Sequence, residues 1–172
     1  MIEPTSLGAA PEVGVAGTFE EFFLAQHEQL FQALYLLTGD RYEADDLAQE
    51  ALLRAYERWD RVSAMDSPEG YVYRTALNLH RSRLRSLMVR ARRAFATIPE
   101  EDVSGSVAAS HDVRAALTKL PRGQREALVL VGWLGLDSDA AGDLLGIEGA
   151  SVRGLLHRGR ESLRQLLGEP DD

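Results

Sequence analysis

Apolar positions along the chain recur at helical spacing almost throughout. Phe19, Phe22, Phe23, Leu30, Leu34 and Leu37 make one stripe at 3.6-residue period. Thr18 precedes it with Glu21 three residues on, a capping box, and Gly39 closes it. Asp40 caps a second helix, with Glu43 in the box position. Its apolar face reads Ala44, Leu47, Ala48, Ala51, Leu52, Ala55, Tyr56 and Trp59. Residues 60–67 read as a polar loop. Ser67-Pro68 is an N-cap followed by proline at the first helical position, and the helix it opens runs to about Ala94.

The pattern breaks over residues 95–110, where Pro99, Ser-Gly-type steps and Glu100, Glu101 and Asp102 read as an acidic interdomain linker. Four shorter helices follow, at about 111–119, 122–134, 138–145 and 149–167, punctuated by Pro121, Gly135, Gly146 and Gly149. No segment reads as a strand bounded by hairpin turns. The Gly-, Ala- and Pro-rich residues 1–17 read as a flexible N-terminal tail. The expected fold is therefore all-α: two small helical domains, 18–94 and 111–168, joined by a flexible acidic linker, the second containing a helix-turn-helix.

Composition narrows the function classes. The 172 residues contain no cysteine, which excludes disulfides, thiolate metal sites and cysteine nucleophiles. The uncharged run from Ala127 to Leu136 is far too short to span a bilayer, and the first basic residue is Arg41, which argues against a secretory signal. A cytoplasmic protein is expected. His27, His80, His111 and His157 are far apart in sequence, and no phosphate loop, nucleophile elbow or dinucleotide fingerprint occurs. No catalytic residue, cofactor or metal is expected.

The net charge of −8 conceals a strong asymmetry. Residues 1–60 carry net −9, residues 61–98 net +6, residues 99–112 net −4 and residues 113–172 net −1. A basic block inside an acidic protein meets phosphate locally, while the acidic part suits a basic protein partner. On the helix from Pro68, Arg74, Asn78, Arg81, Arg85 and Arg92 fall on one stripe, with Tyr71 at its edge and no acid from Gly70 to Pro99. Guanidinium groups in a row neutralise successive phosphates, and the ring and amide beside them suit an exposed base.

The helix pair 138–145 and 149–167, separated by the turn Gly146-Ile147-Glu148, has helix-turn-helix spacing. In its second helix Val152, Leu155, Leu156, Leu163, Leu166 and Leu167 make the apolar stripe. Arg153, His157, Arg160 and Arg164 make a basic one, and Ser151, Gly154 and Arg158 form a further exposed strip. Such a helix reads bases from the major groove with its N-terminal residues. Gly154 and Gly159 each cost about 0.5–1 kcal/mol against alanine, which predicts a C-terminal domain only marginally stable alone. On the second helix, Asp45, Asp46, Gln49 and Glu50 form an acidic face. Its i,i+4 acids repel mildly unless something basic meets them.

Together these segments resemble the extracytoplasmic-function (ECF) sigma factors of RNA polymerase. The stretch from Asp40 to Trp59, DRYEADDLAQEALLRAYERW, looks like the family's polymerase-binding helix. The stretch from Pro68 to Arg85, PEGYVYRTALNLHRSRLR, looks like its −10 segment. LPRGQREALVL at 120–130 and LHRGR at 156–160 look like its −35 domain. The likeness covers about residues 18–167.

The resemblance implies a sigma factor that binds core polymerase, directs it to selected promoters and assists melting at −10, with no enzymatic activity of its own. It implies that Asp45, Asp46, Gln49 and Glu50 dock on the clamp helices of the largest polymerase subunit. Tyr71, Arg74, Asn78, Arg81 and Arg85 would contact the −10 DNA. Ser151, Arg153, Gly154 and Arg158 would enter the −35 groove, with His157 and Arg160 nearer the backbone. Family members are often held inactive by an anti-sigma protein, so one is a further candidate partner. The alternatives are a stand-alone helix-turn-helix regulator without polymerase docking, and a module that sequesters polymerase or another regulator without reading DNA.

Overall fold

The computed structural model describes residues 17–94 and 108–168. The expected tail (but for Gly17) and the expected linker up to residue 107 lie outside them. The order is α1 (Phe19–Thr38), α2 (Arg41–Tyr56), α3 (Trp59–Val62), α4 (Pro68–Ala94), α5 (Ala108–Lys119), α6 (Arg122–Ala127), a π-helical segment (Leu128–Trp133), α7 (Ser138–Leu145) and α8 (Gly149–Leu167). No strand occurs among the described residues, so the fold is all-α.

Local chemistry sets the ends of these helices. Thr18 Oγ1 accepts from the Glu21 N–H, and Glu21 Oε2 accepts from the Thr18 N–H, closing the box at the start of α1. Gly39 ends α1 in the left-handed region at φ 74°. Asp40 Oδ1 accepts from the Glu43 N–H, while the Asp40 N–H goes to Thr38 Oγ1. Two consecutive helices are thus stitched across one glycine. At the start of α4, Ser67 Oγ accepts from the Gly70 N–H.

Three stretches differ from the sequence reading. Residues 60–67 are not wholly loop, because Val62 is fully buried and pins the short helix α3. Trp59 opens that helix instead of ending α2; its ring packs on Phe19 and Phe22 at 5.3 and 5.0 Å. Helix α5 begins at Ala108, three residues earlier than its periodicity predicts. The stretch 122–134 changes from α to π pitch at Leu128, with Leu134 N–H bonded to the Val129 carbonyl.

The core starts where α1, α2 and α4 meet. Leu30, Leu34 and Leu37 of α1 face Ala44, Leu47, Ala48, Ala51, Leu52 and Ala55 of α2, all buried. The alanines let the two axes approach, and the leucines fill the space they leave. Val72, Ala76 and Leu77 close the core from α4. His80 is buried beside them, its Nδ1 3.7 Å from Glu43 Oε1.

The same apolar cluster continues into Ala127, Val129, Leu130, Ala141, Val152 and Leu156 of the C-terminal half. The two halves therefore share a packed boundary. At its centre Arg125 donates to the Leu37 carbonyl at 2.8 Å, and also to the Thr118 and Leu120 carbonyls. One guanidinium thus satisfies orphan carbonyls at the ends of two helices from different halves. Its burial lowers its pKa from the ordinary arginine value, although neighbouring Glu126 opposes the shift. Gly39 sits against Thr118 so closely that a Cβ there would lie 2.8 Å from Thr118 Cγ2.

Candidate nucleic-acid interface

The acidic face of α2 exists as expected, but it is not unpartnered. Asp46 and Gln49 are exposed, while Asp45 and Glu50 are half-buried. Gln49 Nε2 donates to Asp45 Oδ2 at 2.8 Å, and Arg54 pairs with Glu50 at 2.7 Å. Arg83, from α4, reaches across to both Asp46 Oδ2 at 2.6 Å and Glu50 Oε2 at 3.1 Å. Burial lowers the Arg83 pKa, and the bonds to Asp46 and Glu50 outweigh it, so the net shift is upward. The repulsion between the two i,i+4 acids is relieved from within the chain. Spacing on α2 alone could not reveal this, because the cation comes from 33–37 residues away.

The basic stripe on α4 divides. Arg74, Asn78 and Arg85 are exposed on the surface, and Tyr71 is half-buried. Arg81 is turned into the boundary between the halves. Its Nε and Nη2 donate to Oε1 and Oε2 of Glu126 at 3.1 and 2.8 Å, and its Nη1 reaches the Leu145 carbonyl at 3.4 Å. The hydrogen bond to Glu126 raises the Arg81 pKa, although burial works against it. Glu126 itself is 2% exposed. It lies on the core side of α6, one turn before Leu130, an acid in an otherwise apolar row and the only signal the sequence holds for this contact.

Helices α7 and α8 form the helix-turn-helix. Asp137 caps α7 through bonds from the Asp139 and Ala140 N–H groups, and Gly146 ends it at φ 70°. Gly142 has a steric role: a Cβ there would come within 2.6 Å of the Ile147 carbonyl oxygen, so the turn lies directly on α7. Val152, Leu156 and Gly159 face inward from α8. Leu166, expected on the apolar stripe, is exposed, because the last turn of α8 runs past the core. Ser151, Arg153, His157, Arg158 and Arg160 are exposed, and Gly154 is half-buried among them. Arg153 Nη1 stands 3.7 Å from Asp139 Oδ1, a loose surface pair. Arg164 pairs with Glu161 at 3.2 Å.

Gly159 is not a defect in this helix. A Cβ on it would press on Leu128 at 3.0 Å, so its absence lets α8 sit close to the π-helical segment. Gly154 has no such contact except the flexible end of Arg158 at 3.5 Å.

Two family models match the chain: sigma-70 region 2 over residues 22–90 and sigma-70 region 4 over residues 110–163. The ECF RNA polymerase sigma factor EcfG of Rhodopseudomonas palustris is 33% identical over 76% of this chain and 75% of its own. SigM of Mycobacterium tuberculosis is 31% identical over 93% and 82%. The chain belongs to the ECF RNA polymerase sigma factors. The sigma factor RpoE of Bartonella quintana, solved in complex with the anti-sigma factor NepR, has the same fold. It superposes with a TM-score of 0.76 at 23% identity, covering 89% of this chain and 98% of that one. CnrH, solved with the cytosolic domain of CnrY, superposes with a TM-score of 0.62 at 24% identity, covering 89% of each chain.

As a sigma factor the protein binds core RNA polymerase and promoter DNA and directs promoter-specific transcription initiation. A stand-alone regulator would need only the region 4 half, and region 2 is matched as well. Among the described residues, no helix is long and apolar enough to cross a membrane.

Proposed function

We propose that the two halves divide the work of this sigma factor. The half spanning 18–94 docks on the clamp helices of the largest polymerase subunit through Asp45, Asp46, Gln49 and Glu50. It holds the −10 DNA with Tyr71, Arg74, Asn78, Arg81 and Arg85. The half spanning 111–168 places Ser151, Arg153, Gly154 and Arg158 in the −35 major groove, with His157 and Arg160 against the backbone. The segment between Ala94 and Ala108 joins the two.

The observation that carries this reading is the sorting of α8 into two rows. Val152, Leu156 and Gly159 are buried, while Ser151, Arg153, His157, Arg158 and Arg160 stand exposed at the start and middle of the helix. A helix so presented offers its N-terminal residues to base edges. Arginine forks onto guanine O6 and N7, and serine serves either base type. On α4 the exposed Arg74, Asn78 and Arg85 support the −10 assignment, as Tyr71 does at their edge. A flipped base costs a few kcal/mol to extrude, and contacts of this kind offset it. The protein contributes binding, and the polymerase carries out the chemistry. Its place of action is the cytoplasm, where both polymerase and chromosome are found. An anti-sigma protein covering these faces is a further partner; the relative RpoE is solved with one.

The test is transcription from a pool of genomic promoter fragments by core polymerase with and without the protein. Transcripts sharing two short motifs at −35 and −10 are expected. Asp46→Arg with Glu50→Arg should abolish polymerase binding. Arg153→Ala should keep polymerase binding and lower promoter activity by about 1–3 kcal/mol, the loss of one bidentate base contact. Unchanged transcription from Arg153→Ala would remove that residue from the −35 assignment.

A further inference from the structure

Three arginines reach across between the two halves, and one of them is a residue assigned to DNA. Arg81 forks onto both oxygens of the buried Glu126. Arg125 spans from the end of α1 to the end of α5. The guanidinium of Arg114 lies over the ring of Tyr35 at 4.4 Å. The fork that fits a carboxylate fits a phosphate equally well, so Glu126 occupies Arg81 in the way a DNA backbone would.

Glu126 has a second cation at hand. Arg122 Nε stands 3.8 Å from Glu126 Oε1, one turn earlier on the same helix. If the halves part, Arg122 moves with Glu126 and Arg81 does not. The carboxylate then keeps a partner and gains water, while Arg81 is released. A buried ion pair usually resists separation because each charge would be left uncompensated. Here both charges have somewhere to go.

The closed arrangement does not fit a promoter. Elements at −10 and −35 lie about 25 base pairs apart, or about 85 Å at the 3.4 Å rise of one DNA strand. A folded chain of this length is roughly 40 Å across. Halves held together by Arg81, Arg114 and Arg125 cannot rest on both elements at once.

We propose that Glu126 is an internal stand-in for DNA phosphate: it latches the free sigma factor closed through Arg81, and promoter engagement passes Arg81 from Glu126 to the DNA backbone. The inference rests on the assignment of α4 and α8 to promoter DNA made above. It predicts that a free chain is self-masked, and that opening and gain of a phosphate contact occur together.

The absence of cysteine makes the test clean. Donor and acceptor dyes are placed at Glu57→Cys and Gln165→Cys, both on exposed positions, in the full chain. The parent should show one high-transfer population in the free state and move to low transfer on adding core polymerase with promoter duplex. Glu126→Gln should raise the low-transfer fraction at least tenfold without any partner, with helix content by circular dichroism unchanged. Should Glu126→Gln fail to fold, Arg114→Ala removes only a rim contact and should raise that fraction about threefold, the scale of one cation–π contact. Unchanged transfer in every folded variant would overturn the latch.

The exchange has its own readout. In binding to plain duplex DNA, the salt dependence for Glu126→Gln should steepen by about one phosphate, a slope change of about 0.9. Adding Arg81→Gln should remove the increment. Opening without that increment would overturn the exchange and withdraw Arg81 from the DNA assignment, while leaving the latch in place.

Discussion

The N-terminal and C-terminal halves are both small helical units, yet they are built differently. In α1, α2 and α4 the buried face is nearly all leucine, alanine and valine, and Ala44, Leu47, Ala48, Ala51 and Ala55 have no solvent exposure. The C-terminal half buries a charged Glu126 and carries glycines at 142, 154 and 159 inside its helices. Its apolar residues pack on one another across α6, the π-helical segment, α7 and α8, and are also continuous with the core of the other half. Helix count does not measure independence. The first half closes its core among α1, α2 and α4, whereas the second completes part of its core at a boundary that contains Arg81, Arg125 and Glu126.

Severing the halves gives the largest expected effect. Residues 18–94 alone should retain a cooperative thermal transition by circular dichroism. Residues 111–172 alone should keep their helices but melt at a lower temperature than the full chain, having lost the cover over Val129 and Leu130 while Arg122 stays beside Glu126. A cooperative transition of the C-terminal piece well above about 60 °C, near the upper end for mesophile domains, would erase the contrast. Within the self-sufficient half, Leu47→Ala should cost about 2–5 kcal/mol in denaturant unfolding, because its site between α1 and α2 leaves a cavity that the close-set alanines cannot collapse into.

Smaller changes sharpen the picture inside the helix-turn-helix. Gly142→Ala forces a methyl against the Ile147 carbonyl oxygen at 2.6 Å and should cost about 1–3 kcal/mol, an overpacking penalty. It should reduce −35-dependent transcription through the turn without touching polymerase binding. Gly154→Ala meets only the end of the Arg158 side chain and should stabilise the protein by about 0.5–1 kcal/mol, read as a raised denaturation midpoint. Opposite signs for two alanines twelve residues apart would separate a glycine needed for close approach from one that merely weakens a helix.

Much of this protein is legible from its residues one window at a time. Helix periodicity, the Thr18–Glu21 box, the glycine stops at 39 and 146 and the Ser67-Pro68 start all depend on neighbours within four residues, so they can be read directly. The exposed rows on α4 and α8 follow for the same reason, since a helix fixes which side chains share a face. The breaks at Trp59 and Leu128 were not legible, because a single buried Val62 and a shift to π pitch depend on what packs against them.

The tertiary structure alone decided the partners of the charges. Arg83 finds Asp46 and Glu50 on α2, and Arg81 finds Glu126, 45 residues away. A stripe of arginines is the same stripe in sequence whether it faces solvent, an acid or DNA. Coulomb attraction and desolvation act through space, and local spacing carries no record of which distant helix arrives. Gly159 has the same lesson for shape: its value as a missing side chain exists only once Leu128 is packed against it. What the residues determined locally was which surfaces the chain could offer; what folding decided was which of them it keeps for itself.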